Sequence, residues 1–228
     1  MKTIVVLTGA GISAESGIQT FRDDNGLWHG HEIMEVASPI GWEQNCKLVL
    51  DFYNKRRRQL REVKPNSAHL ALKELEEKFR VEIITQNVDD LHEKAGSKNV
   101  LHLHGELKKA RSTFDEDLVM DWEDDINIGD FCEFNHQLRP HVVWFGEAVP
   151  MMVPAMEKTA KADILIVIGT SMQVYPAAGL IEYAPEGIPV YFIDPNPAAL
   201  DSKRINVIAE KASIGVPRLV RDLLTEEK

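Results

Sequence analysis

The chain has 228 residues, room for one large domain or a large one carrying a smaller one. Its 44% hydrophobic and 27% charged residues are those of a globular protein and exclude wholesale disorder. The balance of 26 Lys+Arg against 36 Asp+Glu leaves a net charge of −10, which argues against nucleic acid or an anionic membrane as partner.

The elements follow in chain order. Ile4–Leu7 is a short β-branched run that ends at Thr8-Gly9-Ala10-Gly11, as a buried parallel strand would. It is too short for a secretory h-region, and no stretch approaches about 18 apolar residues, so the chain is expected to be cytoplasmic. From Trp42 to Glu62 the pattern is helical, with Leu48, Phe52 and Tyr53 apolar and Arg56, Arg57, Arg58 and Arg61 charged. Asn66 is the N-cap expected for a second helix through Lys78, with Leu70, Leu72 and Leu75 inside. Val81–Thr85 and Val100–Leu103 read as strands.

Between Lys108 and Gln137 acidic residues crowd a stretch with little periodicity, read as a solvated excursion from the main sheet. Val142–Phe145 reads as a strand and Ala155–Ala162 as a helix. Ile164–Ile168 is the clearest buried strand and ends at Gly169-Thr170-Ser171; Pro189–Ile193 ends at Asp194. An amphipathic helix over Val216–Leu224 closes the chain. Strands alternating with helices predict a doubly wound α/β sheet, and the small or polar residues at three strand ends suit ligand binding at its carboxyl edge.

Three motifs carry chemistry. In Thr8-Gly9-Ala10-Gly11-Ile12-Ser13, glycines directly after a strand let backbone N–H groups approach a pyrophosphate, although an ordinary tight turn reads the same way. The acidic ribose ligand of hydride-transferring enzymes has only Asp23 and Asp24 as poor candidates. In Gln86-Asn87-Val88-Asp89, Asn87 and Asp89 could order a carboxamide; the plain alternative is an Asx-turn with a helix N-cap. In His102-Leu103-His104-Gly105-Glu106, alternation puts both histidines on one face, and one at the cleft edge suits general-base work near neutral pH. A satisfied buried histidine fits His102 better than His104.

Together with Gly26-Leu27-Trp28, Phe145-Gly146-Glu147 and Gly169-Thr170-Ser171, these motifs resemble the sirtuin family in order and separation from Val5 to about Val220. The resemblance implies a Rossmann-like parallel sheet with helices on both faces over residues 1–30, 80–108 and 138–228. A small helical or irregular domain would be formed by insertions at 31–79 and 109–137. It implies NAD as cofactor, with contacts from Gly9, Ala10, Gly11, Ile12, Phe21, Arg22, Gln86, Asn87, Val88, Asp89, Gly169, Thr170, Ser171, Asp194 and Ala212. His104, Asn87 and Asp89 would be catalytic. Val142, Trp144, Phe145, Gly146, Glu147 and Val174 would meet the substrate peptide.

The implied reaction transfers an acyl group from a protein lysine to ADP-ribose. The lysine amide oxygen displaces nicotinamide, His104 draws a proton from the ribose hydroxyls, and water releases O-acyl-ADP-ribose. Tyr53 and Arg56, three apart on a helix, resemble the subgroup that accepts acidic acyl groups such as succinyl and malonyl; the alternative is a basic helix face continued by Arg57 and Arg58. Asp194 stands where many members carry an Asn. The two Cys-x-x-Cys pairs of most members are missing, so no zinc is expected and Phe114, Leu118, Trp122, Ile126 and Phe131 are expected to hold that segment by packing. A monomer acting on acylated-lysine proteins is expected. A sirtuin-like protein ADP-ribosyltransferase and a noncatalytic NAD sensor are the competing readings.

Overall fold

In the computed structural model, residues 1–19, 27–28, 30–170, 177–197 and 205–226 are described. The candidate residues Phe21, Arg22, Ser171 and Val174 lie outside them.

The strands are β1 (Thr3–Thr8), β2 (Leu27–Trp28), β3 (His31–Glu32), β4 (Arg80–Thr85), β5 (Val100–His102), β6 (Gly105–Ser112), β7 (Val119–Asp121), β8 (Leu138–Val142), β9 (Ile164–Ile168), β10 (Val190–Ile193) and β11 (Asn206–Ile208). The helices are α1 (Ile33–Val36), α2 (Pro39–Gln59), α3 (Ser67–Leu75), α4 (Leu91–Lys94), α5 (Met152–Thr159) and α6 (Ala212–Glu226).

The main sheet is parallel throughout, in the order β11-β10-β9-β1-β4-β5. Alternation along β1 explains the two layers. Ile4 and Val6 point into a core shared with Leu72 and Leu75 of α3 and Val216 and Leu219 of α6. Val5 and Leu7 point into the opposite core, with Ala155 of α5 and Leu180. A strand buried on both faces must be apolar at every position, which is why β1 and β9 are legible as continuous runs.

Several elements differ from the sequence reading. Asn66 does cap α3, its side chain accepting from Ala68 N at 2.9 Å, but Leu70 lies on the outer face, 49% exposed, while Leu72 and Leu75 are inside. The helix begins at Ser67, so Leu70 falls opposite the buried stripe. α3 packs on the central sheet beside α6 although its residues fall within the 31–79 insertion. The strand expected at Val142–Phe145 ends at Val142, and the chain turns at residues 145–146.

The acidic stretch is more ordered than expected. β6 is the middle of a three-stranded antiparallel sheet, β7-β6-β8. Leu50 of α2 meets Ala110, Ile126, Cys132 and Leu138 there, with Leu118 and Trp122 packed against them. Phe114 and Phe131, expected to contribute, are 64% and 52% exposed. Asp125 and Asp124 pair with Arg58 and Arg61 at the end of α2, at 2.8 and 2.9 Å. Part of the acidic run therefore ties the segment down.

Candidate active site

The chain runs from β1 to β4 and β5 on one side and to β9, β10 and β11 on the other, so the order reverses between β1 and β9. In open parallel sheets such a switch point, at the carboxyl ends of the strands, is where ligands bind. The turns after β1 and β9 interlock there. Gly9 N donates to Ile168 O at 3.0 Å and Gly11 N to Gly169 O at 2.8 Å. A Cβ on Gly9 would lie 2.8 Å from Gly169 O, and one on Gly11 2.6 Å from Gly169 Cα. Gly169 itself has φ of 61°. These glycines are required by the approach of one turn to the other, a reason the sequence did not disclose. The N–H of Ile12 is also engaged, on Gly9 O at 3.2 Å, and its side chain is fully buried in the core.

The turn after β4 is tied to the same place. Gln86 N donates to Thr8 O at 2.9 Å, and Gln86 Nε2 donates to Thr170 Oγ1 at 3.2 Å. Asn87 Nδ2 donates to Gly9 O at 3.2 Å and to Ser13 Oγ at 3.1 Å. Ser13 Oγ in turn donates to Asp89 Oδ2 at 3.0 Å, and Asp89 Oδ1 accepts from Leu91 N at 3.1 Å. Asp89 thus makes the Asx-turn that was the plain reading, and faces Asn87 across one hydroxyl as well. Ser13 is the residue that sequence reasoning missed. The signal was present, a serine two past the second glycine, but only the fold shows that it bridges two turns. Burial raises the Asp89 pKa, against the hydrogen bonds from Leu91 and Ser13.

His104 sits in the turn after β5. Its Nδ1 lies 3.0 Å from Gln86 O, and a carbonyl can only accept, so Nδ1 carries the proton and Nε2 the lone pair. Burial lowers its pKa below the ordinary 6.5, against the Gln86 contact. The result is a neutral imidazole with one basic nitrogen. Gly105, at φ 79°, lets the chain turn straight into β6; a Cβ there would sit 2.1 Å from His141 O.

Val88 leads from this turn into an aromatic cluster. It packs with Phe52, Tyr53, Leu107, Val142 and Trp144. Tyr53 and Arg56 of α2 are both buried. Trp144 Nε1 donates to Tyr53 Oη at 3.0 Å. The Arg56 guanidinium carbon lies 3.4 Å from the Phe52 ring centre, and Nη1 donates to Phe52 O at 3.1 Å. Burial lowers the Arg56 pKa to about 9, opposed by Tyr53, and raises that of Tyr53. The expected basic helix face divides: Arg57 turns inward to Leu107 O at 2.8 Å and Asn54 Oδ1 at 2.7 Å, while Arg58 reaches Asp125.

Of the residues expected to meet the peptide, Phe145 and Gly146 are exposed. Trp144 is buried, with the Arg139 guanidinium 3.2 Å from its ring centre. The Glu147 carboxylate points inward and accepts from Arg139 Nη1 at 2.6 Å, Arg111 Nη2 at 3.2 Å and Trp144 N at 2.7 Å. Ala212 is buried in the core at the start of α6. Asp194 is buried at the end of β10 and accepts from Asn196 N at 2.9 Å. Among the described residues, no three His, Cys, Asp or Glu side chains converge as metal ligands; Cys132 Sγ accepts from Ser112 Oγ at 3.3 Å.

A parallel sheet flanked by helices, with polar turns gathered at its switch point, defines a nucleotide-binding α/β protein of the Rossmann-like class. A profile described as the Sir2 family matches residues 9–176. The chain is 62% identical over 195 residues to an NAD-dependent protein deacylase of Helicobacter pylori (strain ATCC 700392 / 26695), covering 86% of this chain and 85% of that one. It is 51% identical over 232 residues to the NAD-dependent protein deacylase of Bacteroides thetaiotaomicron, covering 98% and 99%. The solved structure of a Sir2 homolog–NAD complex superposes with a TM-score of 0.89 at 38% identity, covering 100% of this chain and 91% of the other. The chain belongs to the Sir2 family, the sirtuins.

Proposed function

We propose that the crevice between the turns after β1, β4 and β9 is the active site of an NAD-dependent protein lysine deacylase. The general activity rests on membership of the Sir2 family and on relatives of that name that match almost the whole chain. The observation that carries the reading of the site is the orientation of His104. Its Nδ1–H is held by Gln86 O, so a basic Nε2 remains for proton transfer, and burial keeps the ring neutral at pH 7.

The side chains beside it fit the cofactor. The Asp89 carboxylate keeps acceptor sites for the NH2 of a carboxamide, while the Asn87 and Ser13 donors hold that carboxylate and the turn in place. The turns at Gly9–Ile12 and Gly169–Thr170, packed backbone to backbone, lie beside them as the support for the rest of the nucleotide. Bound NAD supplies a ribose carbon from which nicotinamide can leave and to which an acyl-lysine oxygen can bond. Asn87 and Asp89 hold the departing amide, His104 accepts a ribose hydroxyl proton, and the exposed 145–146 turn receives the peptide backbone. Phe21, Arg22, Ser171 and Val174 complete the cofactor and peptide contacts in this reading, with Asp194 toward the adenine ribose. The 31–79 and 109–137 insertions form the smaller unit, from which α3 is lent to the main sheet.

Within that activity the preferred substrates are acidic acyl groups, succinyl and malonyl. Arg56 and Tyr53 support this: a buried guanidinium whose pKa is depressed by desolvation is stabilised by an incoming carboxylate. The test is mass spectrometry of one lysine peptide in acetyl, succinyl and malonyl forms with NAD. Nicotinamide and free lysine should appear together, only with acylated peptide, and His104→Tyr should abolish both. Arg56→Met should lower desuccinylation far more than deacetylation; equal losses would remove the acyl assignment and leave the general activity intact. Nicotinamide release that ignores the acyl group would instead favour the ADP-ribosyltransferase.

A further inference from the structure

The two histidines around Leu103 do different work, and the second job is unassigned. His102 Nδ1 lies 3.0 Å from Asn87 O, and His102 Nε2 lies 2.9 Å from Glu93 Oε1 of α4. Both neighbours can only accept. A neutral imidazole has one N–H, so it would turn a lone pair on one of them at hydrogen-bond distance. The geometry is that of an imidazolium, with both nitrogens donating. The side chain is 8% exposed, so this cation sits inside the protein against a carboxylate that is 41% exposed.

We propose that His102, as an imidazolium held by Glu93, is a positioning residue that pins the Asn87 carbonyl and so aims the Asn87–Asp89 turn at the nicotinamide amide. His104 holds the adjacent carbonyl, of Gln86, so two consecutive peptide groups hang from two imidazole rings. The inference rests on the reading of that turn as the amide-binding element.

The surrounding charges agree. Burial disfavours the cation, but the Glu93 hydrogen bond and charge, the Asn87 carbonyl and Glu106 of β6 outweigh it and raise the His102 pKa above 6.5. At Asp89 of the same turn, where burial raises the pKa, the nearby His102 charge acts against that rise, and His92 of α4 is pushed further toward neutrality by it. The two histidines therefore bracket the working range from opposite sides. His104 must lose its proton to act as a base, and His102 must keep its proton to hold the turn. When pH rises through the His102 pKa, the remaining N–H stays with the stronger acceptor, Glu93, and the lone pair on Nδ1 repels Asn87 O. The active fraction then falls on the alkaline side.

The experiment is the pH profile of kcat/KM for one acyl-lysine peptide, with the inhibition constant of nicotinamide measured alongside. Glu93→Gln keeps an acceptor but removes the charge. It should move the alkaline limb acidward by about one pH unit and leave the acid limb in place. His102→Asn should remove the alkaline limb, lower kcat/KM about tenfold and weaken nicotinamide inhibition by a similar factor, with the peptide KM unchanged. Alkaline limbs at the wild-type position in both variants would overturn the proposal. Should His102→Asn fail to fold, Glu93→Gln decides alone. Either failure leaves the base assignment standing; that falls only if His104→Ala keeps acyl transfer, and the role of His102 falls with it.

Discussion

The Trp144 indole N–H donates to the Tyr53 phenol oxygen at 3.0 Å, across 91 residues of sequence, and fixes the direction of that hydroxyl inside the aromatic cluster. Trp144 is itself held from behind, by Arg139 against its ring and by Glu147 on its backbone N–H. Trp144→Phe removes the donor and keeps most of the packing. A hydrogen bond of this kind contributes about 1 kcal/mol, so desuccinylation should fall about fivefold relative to deacetylation. Steady-state assays on matched succinyl and acetyl peptides check it, and an unchanged ratio would show that the hydroxyl direction is irrelevant to acyl choice.

Ser13 joins Asn87 to Asp89, and all three side chains are buried. Ser13→Ala leaves a buried carboxylate oxygen and a buried amide each short of a partner, at a cost of about 1–3 kcal/mol. Thermal unfolding should drop by several degrees, and kcat/KM should fall by more than tenfold. Retention of full activity in a destabilised variant would reduce Ser13 to a structural role.

His69 and His92 stack edge to face, ring centres 4.9 Å apart, behind the end of β1, where His92 Nε2 meets Thr8 Oγ1 at 3.1 Å. Burial lowers both pKa values, that of His69 to about 4. Between pH 6.5 and 4 the unfolded chain binds protons there that the folded chain does not. Stability therefore falls as pH drops through that window, by about 3 kcal/mol from His69 alone. Urea midpoints measured from pH 7 to 4 should decline steeply, and His69→Gln should flatten the slope.

The segment between β6 and β8 is held by Leu50, Ala110, Ile126, Cys132 and Leu138 and by the arginine pairs at the end of α2. Prolonged EDTA treatment should change neither the melting temperature nor the activity, and elemental analysis should find far less than one zinc per chain. A cooperative loss of structure on chelation would contradict this.

The main sheet was legible because β1 and β9 are buried on both faces and must be apolar throughout. β6 and β8 were not: Lys108, Lys109 and Arg139 interrupt any alternation, and those strands exist because their partners and α2 cover them. The site was legible as motifs and illegible as contacts. Nothing local marks Ser13 as a bridge, since its partner Asn87 is 74 residues away, and the inward turn of the Glu147 carboxylate depends on Arg139 and on Arg111 from another strand. Leu70 failed for a simpler reason, one position of phase on a helix whose start was otherwise found.

Val88 has its neighbours Asn87 and Asp89 in the hydrogen-bond network of Ser13 while its own side chain packs beside Tyr53 and Trp144, and its carbonyl is fastened by Leu107 N at 2.9 Å. If both act as proposed, two recognition surfaces share a single three-residue segment. Re-engineering this enzyme for bulkier lysine modifications by carving into the aromatic side should also disturb how tightly it retains its leaving group, so selectivity and product inhibition should shift as a pair.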